Sequence, residues 1–122
     1  MTKPIKVLYV DDEDVLRTLV KDQLAHEGFL VDTADDGDTA LEILEDKKFD
    51  LILLDIRMPR LSGIEVLKVL RKRKITSRVV VLTAVSDLAV AIEAVKNGAN
   101  DYLTKPYELN TLVHAIHRVM GR

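Results

Sequence analysis

Two rhythms alternate along this chain. Short, largely apolar runs from Ile5 to Val10 (IKVLYV), from Phe29 to Ala34, from Leu51 to Leu54 and from Arg78 to Thr83 (RVVVLT) are separated by longer segments whose apolar residues recur at helical spacing. A brief last run covers Asp101 to Lys105. Leu51-Ile52-Leu53-Leu54 has no polar alternation, which predicts a strand covered on both faces, as in a parallel sheet between helical layers. Asp55 ends that strand. Pro59 lacks a ladder N–H and pushes Met58 away from helical angles, so a loop follows.

The intervening segments predict helices. Leu16, Leu19, Val20 and Leu24 form one apolar face, and Gly28 is placed to end that helix in a left-handed cap. Asp36-Gly37 predicts a turn, with Asp38 capping a short helix through Leu41 and Leu44 to about Asp46. Ser62-Gly63-Ile64-Glu65 has the capping-box spacing and opens a helix burying Ile64, Leu67 and Leu70. Ser86 or Asp87 caps the next, with Leu88, Ala91, Ile92 and Val95 inward and Gly98 at its end. The last helix buries Leu109, Leu112, Val113, Ile116 and Met120. Five strands alternating with five helices predict the α/β class, a doubly wound five-stranded parallel sheet, because right-handed crossovers leave little else.

Composition narrows the partners. A length of 122 residues with 48% hydrophobic content suits a single domain over residues 1–122 with one core. A net charge of -2 provides no global field for nucleic acid or an anionic membrane. The basic run Arg71-Lys72-Arg73-Lys74, with Arg78, reads as the solvated C-terminal turn of the third helix, where cations complement the helix dipole. Cysteine is absent, which excludes disulfides and thiolate chemistry. No apolar run approaches the ~20 residues of a membrane span, and Met1-Thr2-Lys3-Pro4 leads into a strand rather than a signal peptide, so a soluble cytoplasmic protein is expected. His114 and His117 stand at i, i+3 without a third metal ligand, which makes them surface or partner-contacting residues.

In a parallel sheet the carboxyl ends of all strands lie along one edge, where open α/β sheets place their chemistry. The residues that close the strands are Asp11 and Asp12, Asp55, Thr83, and Lys105 with Pro106. With the first and third strands ~4.8 Å apart, three carboxylates would share one pocket. Each pair of charges at ~5 Å repels by roughly 3 kcal/mol at an effective dielectric near ~20. One lysine cannot neutralise them. An oxygen-only ligand set favours a hard cation such as Mg²⁺, and a metal, a lysine and a hydroxyl around an aspartate suit phosphoryl transfer with that aspartate as nucleophile.

From Ile5 to about Met120 the chain closely resembles the receiver domain of two-component response regulators. The resemblance rests on Asp11-Asp12, Asp55-Ile56-Arg57-Met58-Pro59, Ser62-Gly63, Thr83-Ala84 and Tyr102-Leu103-Thr104-Lys105-Pro106, in that order at successive strand ends. It implies a flavodoxin-like sheet of order 2-1-3-4-5. It further implies a phosphorelay role in which Asp55 accepts a phosphoryl group from a sensor histidine kinase or a histidine phosphotransfer protein. Asp12, Asp55 and the Arg57 backbone carbonyl would bind Mg²⁺, or Mn²⁺ in its place, with Asp11 acting through water. Thr83 and the Ala84 amide would contact the phosphoryl group and Lys105 would pair with it, after a cis peptide at Pro106. Thr83 and Tyr102 would be the switch pair, altering the face of helix four, strand five and helix five for a downstream effector, a tethered output domain or a phosphorylation-dependent homodimer.

The implied chemistry is confined to the protein's own phosphorylation and slow autodephosphorylation. Arg57 and Val85 offer no group to orient an attacking water as a base would, and Arg57 could itself bond the phosphoryl group. Two other functions compete less well. A haloacid-dehalogenase-type phosphatase needs a second acid where Arg57 stands, and a flavin module needs a phosphate cradle where Asp11-Asp12-Glu13 would repel one.

Overall fold

The apolar run at Leu51 forms the central strand of a parallel sheet. The structure, a computed structural model, describes residues 3–121, so the expectation for Met1 and Thr2 lies outside the described residues, as does Arg122. Strands β1 (Lys6–Val10), β2 (Leu30–Ala34), β3 (Leu51–Asp55), β4 (Arg78–Ala84) and β5 (Asp101–Lys105) alternate with helices α1 (Asp14–His26), α2 (Gly37–Asp46), α3 (Gly63–Lys72), α4 (Leu88–Lys96) and α5 (Leu109–Met120). A short 3₁₀ turn, Val85–Asp87, precedes α4. The sheet order is β2-β1-β3-β4-β5 and every pairing is parallel, as the pattern and the resemblance implied.

Alternation along the central strands sorts the core into two layers. Leu8, Val10, Ile52, Leu54, Val79 and Val81 face α2, α3 and α4, where Ala40, Leu67, Leu70 and Ala94 meet them. Val7, Tyr9, Leu51, Leu53, Val80 and Leu82 face α1 and α5, against Val20, Leu24, Leu112 and Ile116. Register then sets the site. Val10 pairs with Leu54, so Asp11 emerges from β1 beside Asp55 at the end of β3. Ala84 pairs with Lys105, which brings the end of β5 to the same edge.

The helix ends follow local chemistry. Gly28 (φ +93°) and Gly98 (φ +107°) take the left-handed positions after α1 and α4. Ser62 and Glu65 form the reciprocal capping box of α3, at 3.3 and 3.2 Å. Three expectations need correction. Asp36, not Asp38, caps α2, accepting the Thr39 N–H at 2.7 Å; Gly37 is already helical, and its missing side chain admits Val66 rather than making a turn. Leu19 on α1 is 50% exposed, the buried stripe being centred on Val20 and Leu24. On α4, Leu88, Ile92 and Val95 are 40%, 55% and 44% exposed, while Ala91 and Ala94 face inward with Val90. That helix is apolar nearly all round, so periodicity cannot choose its face; the small alanines are buried and the large side chains turn out.

Gly63 fits α3 onto the end of β3. Its N–H donates to the Ile56 carbonyl at 2.8 Å, and a Cβ there would fall 2.8 Å from the Ile56 Cα and closer still to the Asp55 carbonyl oxygen. Backbone atoms cannot yield as a side-chain tip can. Gly63→Ala is expected to cost about 1–3 kcal/mol, read as a lower urea midpoint at unchanged slope. Gly37→Ala should cost less, since its nearest neighbour is the end of the Val66 side chain. Equal stability of Gly63→Ala and the unmodified protein would contradict this packing.

Candidate functional site

The carboxyl edge of the sheet gathers the predicted polar residues. One oxygen each of Asp11, Asp12 and Asp55 lie within 4.8 Å of one another. Asp11 is fully buried and Asp55 nearly so, while Asp12 is exposed. Lys105 stands between the two buried acids, its Nζ donating to Asp55 Oδ2 at 3.2 Å and to Asp11 Oδ2 at 3.3 Å. Glu13 approaches the same ammonium at 4.0 Å. The bond from Lys105 to Pro106 is cis. The other Asp55 oxygen, Oδ1, accepts the Arg57 backbone N–H at 3.3 Å.

One ammonium against the three clustered carboxylates leaves two of their negative charges uncompensated; the shallow depression beside them is lined by Asp12, Glu13, Asp55, Arg57, Ala84, Ser86, Asp87 and Lys105. An oxygen-only donor set with that deficit fits a hard divalent cation. Burial raises the Asp55 carboxyl to about 6; Lys105 pulls it back and the Asp11 charge adds to the rise. Burial also works against the charge on Lys105, but Asp55 and Asp11 outweigh it and hold the ammonium above its usual value.

Thr83 is buried at the end of β4, and its hydroxyl donates to the Ala84 carbonyl at a long 3.3 Å. Ala84 is exposed beside it. Tyr102 on β5 is partly exposed at the surface.

Three site residues were not read from the sequence in these roles. Asp87, expected as a helix cap, makes no capping bond; its carboxylate accepts from Arg57 Nε at 2.7 Å and Nη2 at 2.6 Å. This two-pronged pair engages the Arg57 side chain and holds the Asp87 carboxyl below its usual range. Nothing in the spacing of Arg57 and Asp87 signals that contact. Tyr9 and Tyr107 are the others. The Tyr9 hydroxyl donates to Asp11 Oδ2 at 2.8 Å and lies 3.0 Å from that of Tyr107. Burial, with the negative charge of Asp11 adding to it, pushes the Tyr9 phenol far above its ordinary value, so its proton stays on oxygen. A signal for Tyr9 existed: it is a phenol in an otherwise aliphatic strand interior, two residues before Asp11 and thus on the same sheet face.

Comparison with known proteins agrees with this fold. The family model described as response regulator receiver domain matches residues 7–117. The alkaline phosphatase synthesis transcriptional regulatory protein PhoP of Bacillus subtilis is 43% identical over 116 residues, covering 93% of this chain and 48% of that protein. The regulatory protein AtoC of Escherichia coli is 38% identical over 120 residues, 98% of this chain and 26% of the relative. The chain thus spans about a quarter to a half of these relatives' length. Among solved structures, FixJ-N superposes with a TM-score of 0.92 at 32% identity, covering 99% of this chain and 97% of that one. Vibrio cholerae chemotaxis protein CheY4 superposes at 0.90 with 33% identity, covering 96% and 99%.

The raised Asp55 carboxyl makes stability depend on pH. Its folded value of about 6 exceeds the ordinary aspartate value of 3.8, so the native state binds this proton more tightly than the unfolded chain. Stability from this group is therefore full below about pH 4 and lost as pH rises through about 6. Asp55→Asn, in chelated buffer, is expected to be about 1–3 kcal/mol more stable than the unmodified protein at pH 7. Urea melts from pH 7 to 4 should show the difference shrinking, and an undiminished difference at pH 4 would refute the assignment.

Proposed function

This chain belongs to the response regulator receiver family, and from that membership we propose that it is a phosphoacceptor switch of a two-component system, with Asp55 as acceptor. The observation that carries the reading is the meeting of three acid oxygens within 4.8 Å with Lys105 at 3.2 Å from Asp55. Asp11, Asp12, Asp55 and the Arg57 carbonyl would hold Mg²⁺, or Mn²⁺, with Asp11 acting through water. The bound ion would supply charge neutralisation for the phosphoryl oxygens.

In the proposed step, an Asp55 carboxylate oxygen attacks phosphorus and forms the P–O bond. The P–N bond to a histidine of a sensor kinase or phosphotransfer protein breaks, and its electron pair leaves on the imidazole nitrogen. Lys105 transfers its contact from the free carboxylates to the phosphoryl oxygens, and the Ala84 N–H donates to one of them. Thr83 has only a long bond to the Ala84 carbonyl to give up, which supports its turning toward the phosphoryl group. Tyr102 then moves into the space that Thr83 leaves. The face of α4, β5 and α5, where Leu88, Ile92 and Val95 stand exposed, changes for a downstream effector, a tethered output domain or a second copy of the chain. A cytoplasmic setting fits this role. Among the described residues no helix is long and apolar enough to cross a membrane.

Incubation with Mg²⁺ and acetyl phosphate, followed by intact mass, is expected to give one phosphoryl adduct on the unmodified protein and none on Asp55→Asn. An adduct on both would move the acceptor elsewhere. Chelation of Mg²⁺ should abolish the reaction. With Arg57 held by Asp87 and Val85 apolar, no side chain at these two positions orients a hydrolytic water. The adduct is therefore expected to decay slowly, and a half-life of seconds that lengthens in Arg57→Ala or Val85→Ala would overturn that expectation.

A further inference from the structure

The best-anchored carboxylate in the site is Asp11. Both of its oxygens are occupied by donors: Oδ1 accepts the Glu13 N–H at 2.9 Å, and Oδ2 accepts from Tyr9 at 2.8 Å and from Lys105 at 3.3 Å. Of the two side-chain donors, Lys105 is shared with Asp55 and sits on a flexible stem. Tyr9 is different. Its ring is fully buried between the sheet and the α1 and α5 layer, so its hydroxyl is fixed in position by packing.

The Tyr9 hydroxyl carries one proton, and an ionised Asp11 can only accept. That proton is therefore spent on Asp11, which makes Tyr107 the donor across the 3.0 Å separation of the two phenols. Tyr107 itself packs on the same layer and directly follows Lys105 and Pro106 in the chain. The result is a directed relay from Tyr107 through Tyr9 to Asp11, built on the strand that carries Asp11 and the segment that carries Lys105.

We propose that Tyr9 and Tyr107 are positioning residues for the cation site, Tyr107 orienting the Tyr9 hydroxyl and Tyr9 fixing the Asp11 carboxylate in the orientation that serves the ion. The inference rests on the metal reading given above. Its consequence appears on phosphorylation, when Lys105 turns to the phosphoryl group. Tyr9 is then the remaining one of the two side-chain donors on Asp11. Partners that hold a ligand from behind typically change metal affinity by about 10–100-fold when removed.

The test is calorimetric titration with MgCl₂ of the unmodified protein, Tyr9→Phe, Tyr107→Phe and the double variant. Phenylalanine keeps each ring and removes only the hydroxyl. Tyr9→Phe should weaken Mg²⁺ binding about tenfold. Tyr107→Phe should weaken it less, and the double variant should bind no more weakly than Tyr9→Phe alone, because Tyr107 acts through Tyr9. Urea midpoints with and without Mg²⁺ give the second readout: a positioning role reduces the gain from Mg²⁺, whereas a purely structural role lowers both midpoints alike. A dissociation constant for Tyr9→Phe within about twofold of the unmodified protein, or independent losses from the two hydroxyls, would overturn the proposal. If Tyr9→Phe does not fold, the half-buried Tyr107→Phe carries the same comparison. Absence of Mg²⁺ binding in the unmodified protein would remove the metal reading and this proposal together; binding that neither variant affects would remove this proposal alone.

Discussion

Three carboxylates converging on one sheet edge repel one another, and much of the polar chemistry of this molecule is arranged around that repulsion. The parallel register leaves no choice about the convergence: with Val10 opposite Leu54, the residues that follow must be neighbours. Lys105 relieves part of the charge by reaching both buried acids. Asp55 retains the rest as a carboxyl raised to about 6, burial being the main cause. A cluster left short of positive charge is poor for stability and good for recruiting a cation, a conflict typical of functional sites.

The core is built so that this edge stays in register. β3 is buried along its whole length between two helical layers, and the aliphatic residues beneath Asp55 have no polar alternative to pairing as they do. Close contacts then seat the flanking elements. Gly63 lets the start of α3 meet the backbone at the end of β3, and the capping box fixes where that helix begins. β3 and the loop after it are therefore held from both sides.

The far side of the pocket is held differently. Arg57 and Asp87 tie the loop after β3 to the 3₁₀ turn before α4 through two charged hydrogen bonds rather than through packing. Beyond that turn, α4 buries Ala91 and Ala94 completely, packs Val90 partly against the core, and leaves Leu88, Ile92 and Val95 at the surface. An element with so little apolar surface in the core can change position at lower cost than α3, whose buried face includes Ile64, Val66, Leu67 and Leu70. The firm and the yielding sides of the site thus differ in what holds them.

Hydrophobic rhythm determined the sheet, its parallel sense and the strand ends, because a both-faces-buried strand admits only aliphatic runs and the acids that close them stand out. From those ends Asp11, Asp12, Asp55, Thr83 and Lys105 could be collected before any coordinates, and the family resemblance supplied the strand order. The inward face of α4 could not be read, since Leu88, Ile92 and Val95 satisfy the helical period as well as Ala91 and Ala94 do; packing against the sheet decided between them. Nor could the Arg57–Asp87 pair or the Tyr107–Tyr9 contact be read. Those contacts join residues 30 and 98 positions apart, and distances across such separations exist only once strands and loops have been brought together. Strand composition is a local property, while hydrogen-bond partners across a pocket are set by the tertiary fold.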